Sequence, residues 1–178
     1  MALKSTVFKA TLQLSDMDRQ YYAEHALTIA RHPSETDERM MIRLLAFALH
    51  ADPRLGFGRG LSSDDEAALW LHDYDGTINL WIEVGLPDER ILRKACARSE
   101  RVVLLAYGGR AVEPWWQASA SALRRHDKLE ILTVSSAESA ALGELASRNM
   151  QLQVSIQDGT VWISNADRMV EIHPARLQ

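Results

Sequence analysis

Five consecutive apolar residues, Val102-Val103-Leu104-Leu105-Ala106, constrain the fold more than any other stretch of this chain. So short a run has no polar position to offer water, which marks a strand covered on both faces. Its neighbours extend the argument. Residues 77–84 read as a strand. Residues 87–98 read as a helix opened by Pro87, with Asp88 and Glu89 in the first turn, where the helix dipole favours negative charge. Residues 114–125 read as a further helix and residues 129–134 as a further strand. Strand, helix, strand, helix, strand implies parallel crossovers. The expected class is α/β (α+β), with a mixed central sheet flanked by helices.

The remaining segments attach to that frame. Residues 6–13 alternate as a strand does, and residues 17–30 read as a helix carrying Tyr21, His25, Leu27 and Ile29. After the stop at Arg31-His32-Pro33, Ser34 is a good N-cap, with Asp37 three residues on. Met41, Leu44, Leu45 and Ala48 share one face of the helix that follows, which ends near Asp52-Pro53. Residues 54–64 are loop-like. Residues 67–72 and 77–84 form a hairpin around Asp73-Tyr74-Asp75-Gly76. A helix over 137–147 precedes a second hairpin, 151–157 with 160–164, turning at Asp158-Gly159. No linker or repeat divides the chain, so residues 1–178 are expected to form one domain.

Composition narrows the function classes. A formal net charge of -4 lacks the basic balance of a general DNA-coating protein, though a local basic groove is compatible with it. The single cysteine, Cys96, forms no internal disulfide, which fits a cytoplasmic setting, and it reads as a small core filler. The first residues show no apolar signal region, and no apolar run approaches the roughly twenty residues of a membrane span, so no membrane role is expected. The absence of G-x-S-x-G, Walker and dinucleotide motifs argues against serine hydrolase, NTPase and Rossmann enzyme, and no organic cofactor is expected.

Two carboxylates occupy unusual faces. Glu38 lies about 60° from Met41 at 100° per residue, so it borders the buried face of its helix. Glu83 shares a strand face with Asn79 and Trp81, while Ile78, Leu80, Ile82 and Val84 take the other. A two-residue turn sets Glu83 opposite Ala68, and a four-residue turn sets it opposite Glu66. Both registers put Glu66 on the Glu83 face. Asp64 and Asp65 lie just upstream, so carboxylates suited to Mg²⁺ are within reach.

The order of helix carboxylate, acid-bearing hairpin, basic helix and buried strand resembles the PD-(D/E)XK nuclease superfamily. More specifically, Arg31-His32-Pro33-Ser34-Glu35-Thr36-Asp37-Glu38-Arg39-Met40 and Trp81-Ile82-Glu83-Val84-Gly85-Leu86-Pro87-Asp88-Glu89 resemble the YaeQ family. Met1-Ala2-Leu3-Lys4 and Ile156-Gln157-Asp158-Gly159 agree with it, so the likeness spans nearly the whole chain. The resemblance implies a nuclease-like core with an additional C-terminal hairpin. It gives Glu38 the part of the first-helix acid and matches Glu83-Val84-Gly85 to the strand (D/E)-x-K, with glycine where the lysine belongs. Ala67-Ala68 stands at the Pro-Asp position, leaving only Asp64, Asp65 and Glu66 as nearby acids. The lysine is known to migrate to the next helix in this superfamily, which points to Lys94, with Arg90 as the alternative.

The implied site uses Glu38, Glu83 and Lys94 for catalysis, and Glu83, Asp65, Glu66 and Glu38 as ligands to Mg²⁺ or Mn²⁺. Such an ion polarises the phosphate and generates hydroxide, while a lysine steadies the developing charge. Arg90 and Arg93, in a basic run with Lys94, Arg98 and Arg101, could guide a nucleic-acid backbone or form a solvated helix face. Trp115-Trp116 could stack bases or fill the core. Glu38 could instead pair with Arg39 or Arg43 for structural reasons. The expectation is therefore a Mg²⁺-dependent phosphodiesterase acting on nucleic acid. The alternative is a degenerate nuclease-like module that binds nucleic acid or a protein partner.

Overall fold

The structure, a computed structural model, describes residues 4–59 and 65–178. Among the described residues, two mixed sheets and four α-helices make a layered α+β fold. In the first sheet, β1 (Thr6–Asp16) pairs antiparallel with β2 (Tyr21–Arg31) and parallel with β8 (Asn149–Gln157). β8 continues to β9 (Thr160–Ser164) and β10 (Met169–Ile172). In the second, β3 (Leu55–Phe57), β4 (Leu69–His72), β5 (Ile78–Val84), β6 (Ser99–Ala106), β7 (Leu129–Thr133) and β11 (Ala175–Arg176) follow in that order. β5, β6 and β7 are parallel, joined through α2 (Glu89–Arg98) and α3 (Val112–Leu123) as the alternation predicts.

Helix α1 (Asp37–Leu49) and α4 (Ser136–Gly143) share one core with the inner faces of both sheets. From Met40 to Ala48 every residue of α1 is buried, as a helix between two apolar sheets requires. A second core on the far side of the larger sheet joins Trp81, Val102, Leu104 and Ile131 to Leu92, Ala95 and Trp116 of α2 and α3. Cys96 is buried there, and burial pushes its thiol pKa up, in keeping with a filler. No helix among the described residues is long and apolar enough to cross a membrane.

The structure corrects several expectations. The single central sheet is two sheets, because residues 17–30 are not a helix. Met17 to Gln20 make a turn in which the Asp16 carboxylate accepts from the N–H groups of Asp18 and Arg19, and Gln20 adopts φ 53°. The chain then returns as β2. Tyr21, Ala23, His25, Leu27 and Ile29 alternate with Tyr22, Glu24, Ala26 and Thr28, a period of two that β1 rewards with an eleven-residue pairing. The N-cap of α1 is Thr36, whose side chain accepts from the Arg39 N–H, in place of Ser34.

The first hairpin follows neither expected loop length. Asp73 N–H donates to Thr77, and Gly76, at φ +89°, donates to Asp73, so three residues make the loop. A bulge then skips Asn79, and Leu71↔Leu80 and Leu69↔Ile82 regain the register of a two-residue turn. Ile78 consequently joins Trp81 on the α2 side, and is parted from Leu80, Ile82 and Val84. The second hairpin, β8 with β9, turns at Asp158-Gly159 as read from the sequence.

Candidate functional site at the carboxyl ends of β5 and β6

Glu83 is the penultimate residue of β5 and is only 5% exposed. It shares its strand face with Trp81, whose Nε1 donates to Glu83 Oε1 at 2.8 Å. Burial raises the carboxyl pKa to about 7, a rise that the Trp81 hydrogen bond and the charge of Arg39 only partly oppose. The carboxyl is thus held close to the point at which it exchanges its proton around neutral pH.

Glu38 comes from the first turn of α1, on the other face of the same sheet. Ser139 Oγ of α4 donates to its Oε1 at 2.5 Å. Gly143 permits this approach, since a Cβ there would lie 3.1 Å from the Glu38 Cα. Arg39 and Arg43 do not serve Glu38 in the manner the sequence suggests. Both reach Glu35: Arg39 Nη1 to Oε1 at 2.8 Å, and Arg43 through Nε and Nη2 at 2.8 and 2.7 Å. Glu35 and Arg43 have fully buried side chains, so this pair braces the start of α1 from within.

Tyr107 stands between the first turn of α1 and Gly85. It follows β6, and burial raises its phenol pKa. The charge of Arg39 opposes that rise, the charges of Glu38 and Glu35 add to it, and a hydrogen bond with Thr36 lowers it. Gly85 ends β5 beside Tyr107. Its φ of +98° is a conformation that L side chains rarely adopt, and its N–H donates to the Leu105 carbonyl at 3.0 Å. The position at which the resemblance would place a lysine is therefore one whose backbone conformation favours glycine.

The other sequence candidates have partners of their own. Lys94 Nζ donates to Asp65 Oδ1 at 2.5 Å, with side chains 42% and 74% exposed. The hydrogen bond and charge of Lys94, aided by Arg98, lower the Asp65 pKa against slight desolvation. Glu66 accepts from the Arg59 N–H at 2.8 Å. Arg93 is exposed and faces Glu89 at 3.8 Å, and Arg90 is exposed on the same helix. Asp64 lies outside the described residues. Among the described residues, no three His, Cys, Asp or Glu side chains form a group that could hold a metal. Trp116 is core, and Trp115 Nε1 donates to the Pro87 carbonyl at 2.9 Å. His32 Nδ1 lies 2.7 Å from Ser34 Oγ, within its own turn.

Sequence reasoning missed Glu35, Tyr107 and Ser139, and paired Arg39 with Glu38 where the structure pairs it with Glu35. Glu35, Arg39 and Arg43 stand four residues apart in succession, a helical ion-pair spacing that was readable. Tyr107 and Ser139 carry no local signal, because tertiary packing alone brings them to Glu38.

Comparison with known proteins agrees along the whole chain. The family model described as YaeQ protein matches residues 1–174. The uncharacterised YaeQ protein of Salmonella typhi is 48% identical over 172 residues, 97% of this chain and 95% of that one. That of Escherichia coli is 45% identical over 173 residues, 97% of this chain and 96% of that one. The crystal structure of the YaeQ protein from Xanthomonas axonopodis pv. citri superposes with a TM-score of 0.94 at 53% identity, over 98% of both chains. That from Pseudomonas syringae gives 0.93 at 39%, over 98% of this chain and 96% of its own. The chain belongs to the YaeQ family.

Proposed function

We propose that the cluster around Glu83, Glu38 and Tyr107 binds Mg²⁺ or Mn²⁺ and hydrolyses a nucleic-acid phosphodiester. One observation carries this reading: Glu83 is a buried carboxyl whose ionised form lacks the compensation that a cation would supply. Mg²⁺ is commonly held by one or two carboxylates together with waters and substrate phosphates, so Glu83 can hold it directly while Glu38, from the other face of the sheet, acts through a bound water. When bound, such an ion supplies Lewis acidity and a nucleophilic hydroxide. The chain's own contribution is to fix Glu83 through Trp81, to fix Glu38 through Ser139, and to set the Arg39 charge nearby. Lys94 assists only if its pair with Asp65 opens. The PD-(D/E)XK resemblance and the basic α2 residues Arg90 and Arg93 point to nucleic acid as the substrate class.

A second reading, a degenerate module that binds nucleic acid or a protein partner, is favoured by Gly85. A lysine at this position would adopt the backbone conformation only with strain. Calorimetric titration with Mg²⁺ and Mn²⁺, paired with cleavage assays on DNA and RNA, separates the two. Binding heat and cleavage that both vanish in Glu83→Gln support the hydrolase. Nucleic-acid binding without metal binding or cleavage supports the module.

A further inference from the structure

Strand β2 lies at the edge of the first sheet and, among the described residues, has no strand on its outer side. Hydrogen-bond parity shows what that edge offers. The Lys9 N–H donates to the Arg148 carbonyl at the start of β8, so odd-numbered residues of β1 address β8 and even-numbered ones address β2. Ala10 faces Leu27, Leu12 faces His25 and Leu14 faces Ala23. The odd-numbered residues of β2 are thus spent on β1, and Tyr22, Glu24, Ala26, Thr28 and Ala30 turn their backbone groups outward. The Ala30 carbonyl accepts from buried Arg43 Nη2 at 2.8 Å, in accord with this parity. No other described residue engages the backbone groups of Tyr22, Glu24, Ala26 or Thr28.

This edge carries little of the usual protection. Its register with β1 is unbroken over the whole strand, it contains no proline, and its one charged residue between Tyr21 and Ala30 is Glu24. The core beneath it is also incompletely covered. Ala10, Leu12 and Leu14 of β1 are buried, whereas their partners Leu27, His25 and Ala23 are only half-buried.

We infer that β2 pairs antiparallel with β2 of a second copy of this chain, about a two-fold axis at Ala26. Outward-facing residues must meet outward-facing residues in such a pairing, and the sequence of β2 satisfies this about its own midpoint. Glu24 then faces Thr28, His25 faces Leu27, Ala23 faces Ile29 and Tyr21 faces Arg31, so no like charges oppose one another. Ala26, with only a methyl group, meets its own copy at the axis. Centring the pairing on Glu24 would instead set two carboxylates side by side. Pairing is expected over 23–29, because the Ala30 carbonyl is already taken by Arg43. The two sheets become one continuous sheet, and the half-covered row of Leu27, His25 and Ala23 gains a neighbour.

The test is sedimentation velocity of the full chain across a concentration series, with three variants. Wild type should sediment at twice its 20.0 kDa. Ala26→Pro removes an outward N–H that β1 does not use, so its circular dichroism should be unchanged while the dimer is lost. Ala26→Lys, which sets two ammonium groups at the axis, should also be monomeric and covers the case in which proline perturbs the strand. Ala26→Cys should form an interchain disulfide on mild oxidation, since opposed Cα atoms of a hydrogen-bonded pair lie about 5.5 Å apart. The native Cys96 is buried and gives no background. A wild type that stays monomeric throughout the series overturns the inference. So does a dimer that persists in folded Ala26→Pro and Ala26→Lys.

Discussion

Trp81 and Glu83, two residues apart on β5, are joined side chain to side chain by a 2.8 Å hydrogen bond from the indole Nε1 to the carboxyl Oε1. A strand places residues i and i+2 on one face, so this contact is built into β5 and needs no loop to position it. It holds the acid in one orientation while burial holds it near neutrality.

That burial makes stability depend on pH. The folded pKa of Glu83, about 7, exceeds its ordinary 4.5. Its stabilising contribution is therefore complete below pH 4.5 and is lost as pH rises through 7, a difference on the order of 3 kcal/mol. Urea unfolding should show this slope in wild type and a flatter profile in Glu83→Gln, which should be the more stable protein at pH 8. Parallel profiles would show that Glu83 titrates normally.

A cation at Glu83 must displace its proton. Apparent affinity for Mg²⁺ or Mn²⁺ should rise about tenfold per pH unit below 7 and level off above it. At pH 8, millimolar Mn²⁺ should raise the wild-type melting midpoint and leave Glu83→Gln unmoved. Equal shifts in both proteins would place the cation elsewhere.

Glu35 and Arg43 form a fully buried pair, and among the described residues no group hydrogen-bonds Arg43 Nη1. Glu35→Ala strands the guanidinium and should cost about 3–5 kcal/mol in urea unfolding. Replacing both residues, Glu35→Leu with Arg43→Met, should recover much of that loss, because the desolvated charge goes with its partner. A double variant as unstable as the single one would contradict this account.

Gly85 holds φ +98°, yet a Cβ there would meet nothing nearer than Tyr107 Cε1 at 4.0 Å. Gly85→Ala should therefore cost about 1–3 kcal/mol through backbone strain alone. Gly85→Lys should lose a similar amount and gain no cleavage activity, since strain displaces the strand end that would aim the ammonium. A stable, active Gly85→Lys would show that the backbone relaxes.

The sequence by itself determined the elements whose signals are local. The apolar run of β6, the alternating helices around it, the Asp158-Gly159 hairpin and the unusual faces of Glu38 and Glu83 all follow from periodicity and turn chemistry. The apolar face of Met41, Leu44, Leu45 and Ala48 was equally local, whereas the burial of the whole of residues 40–48, Arg43 included, came from the two sheets that enclose α1. Tertiary structure alone decided that residues 21–31 form a strand, because an eleven-residue partner in β1 outweighs a helix-like scatter of apolar positions. It likewise decided that Lys94 meets Asp65 on the surface, that Glu35 takes both arginines, and that Ser139 reaches Glu38 from 101 residues away. Faces and caps are set by neighbours within a turn. Which charge meets which is set by how the sheets close over α1, and no window of sequence contains that.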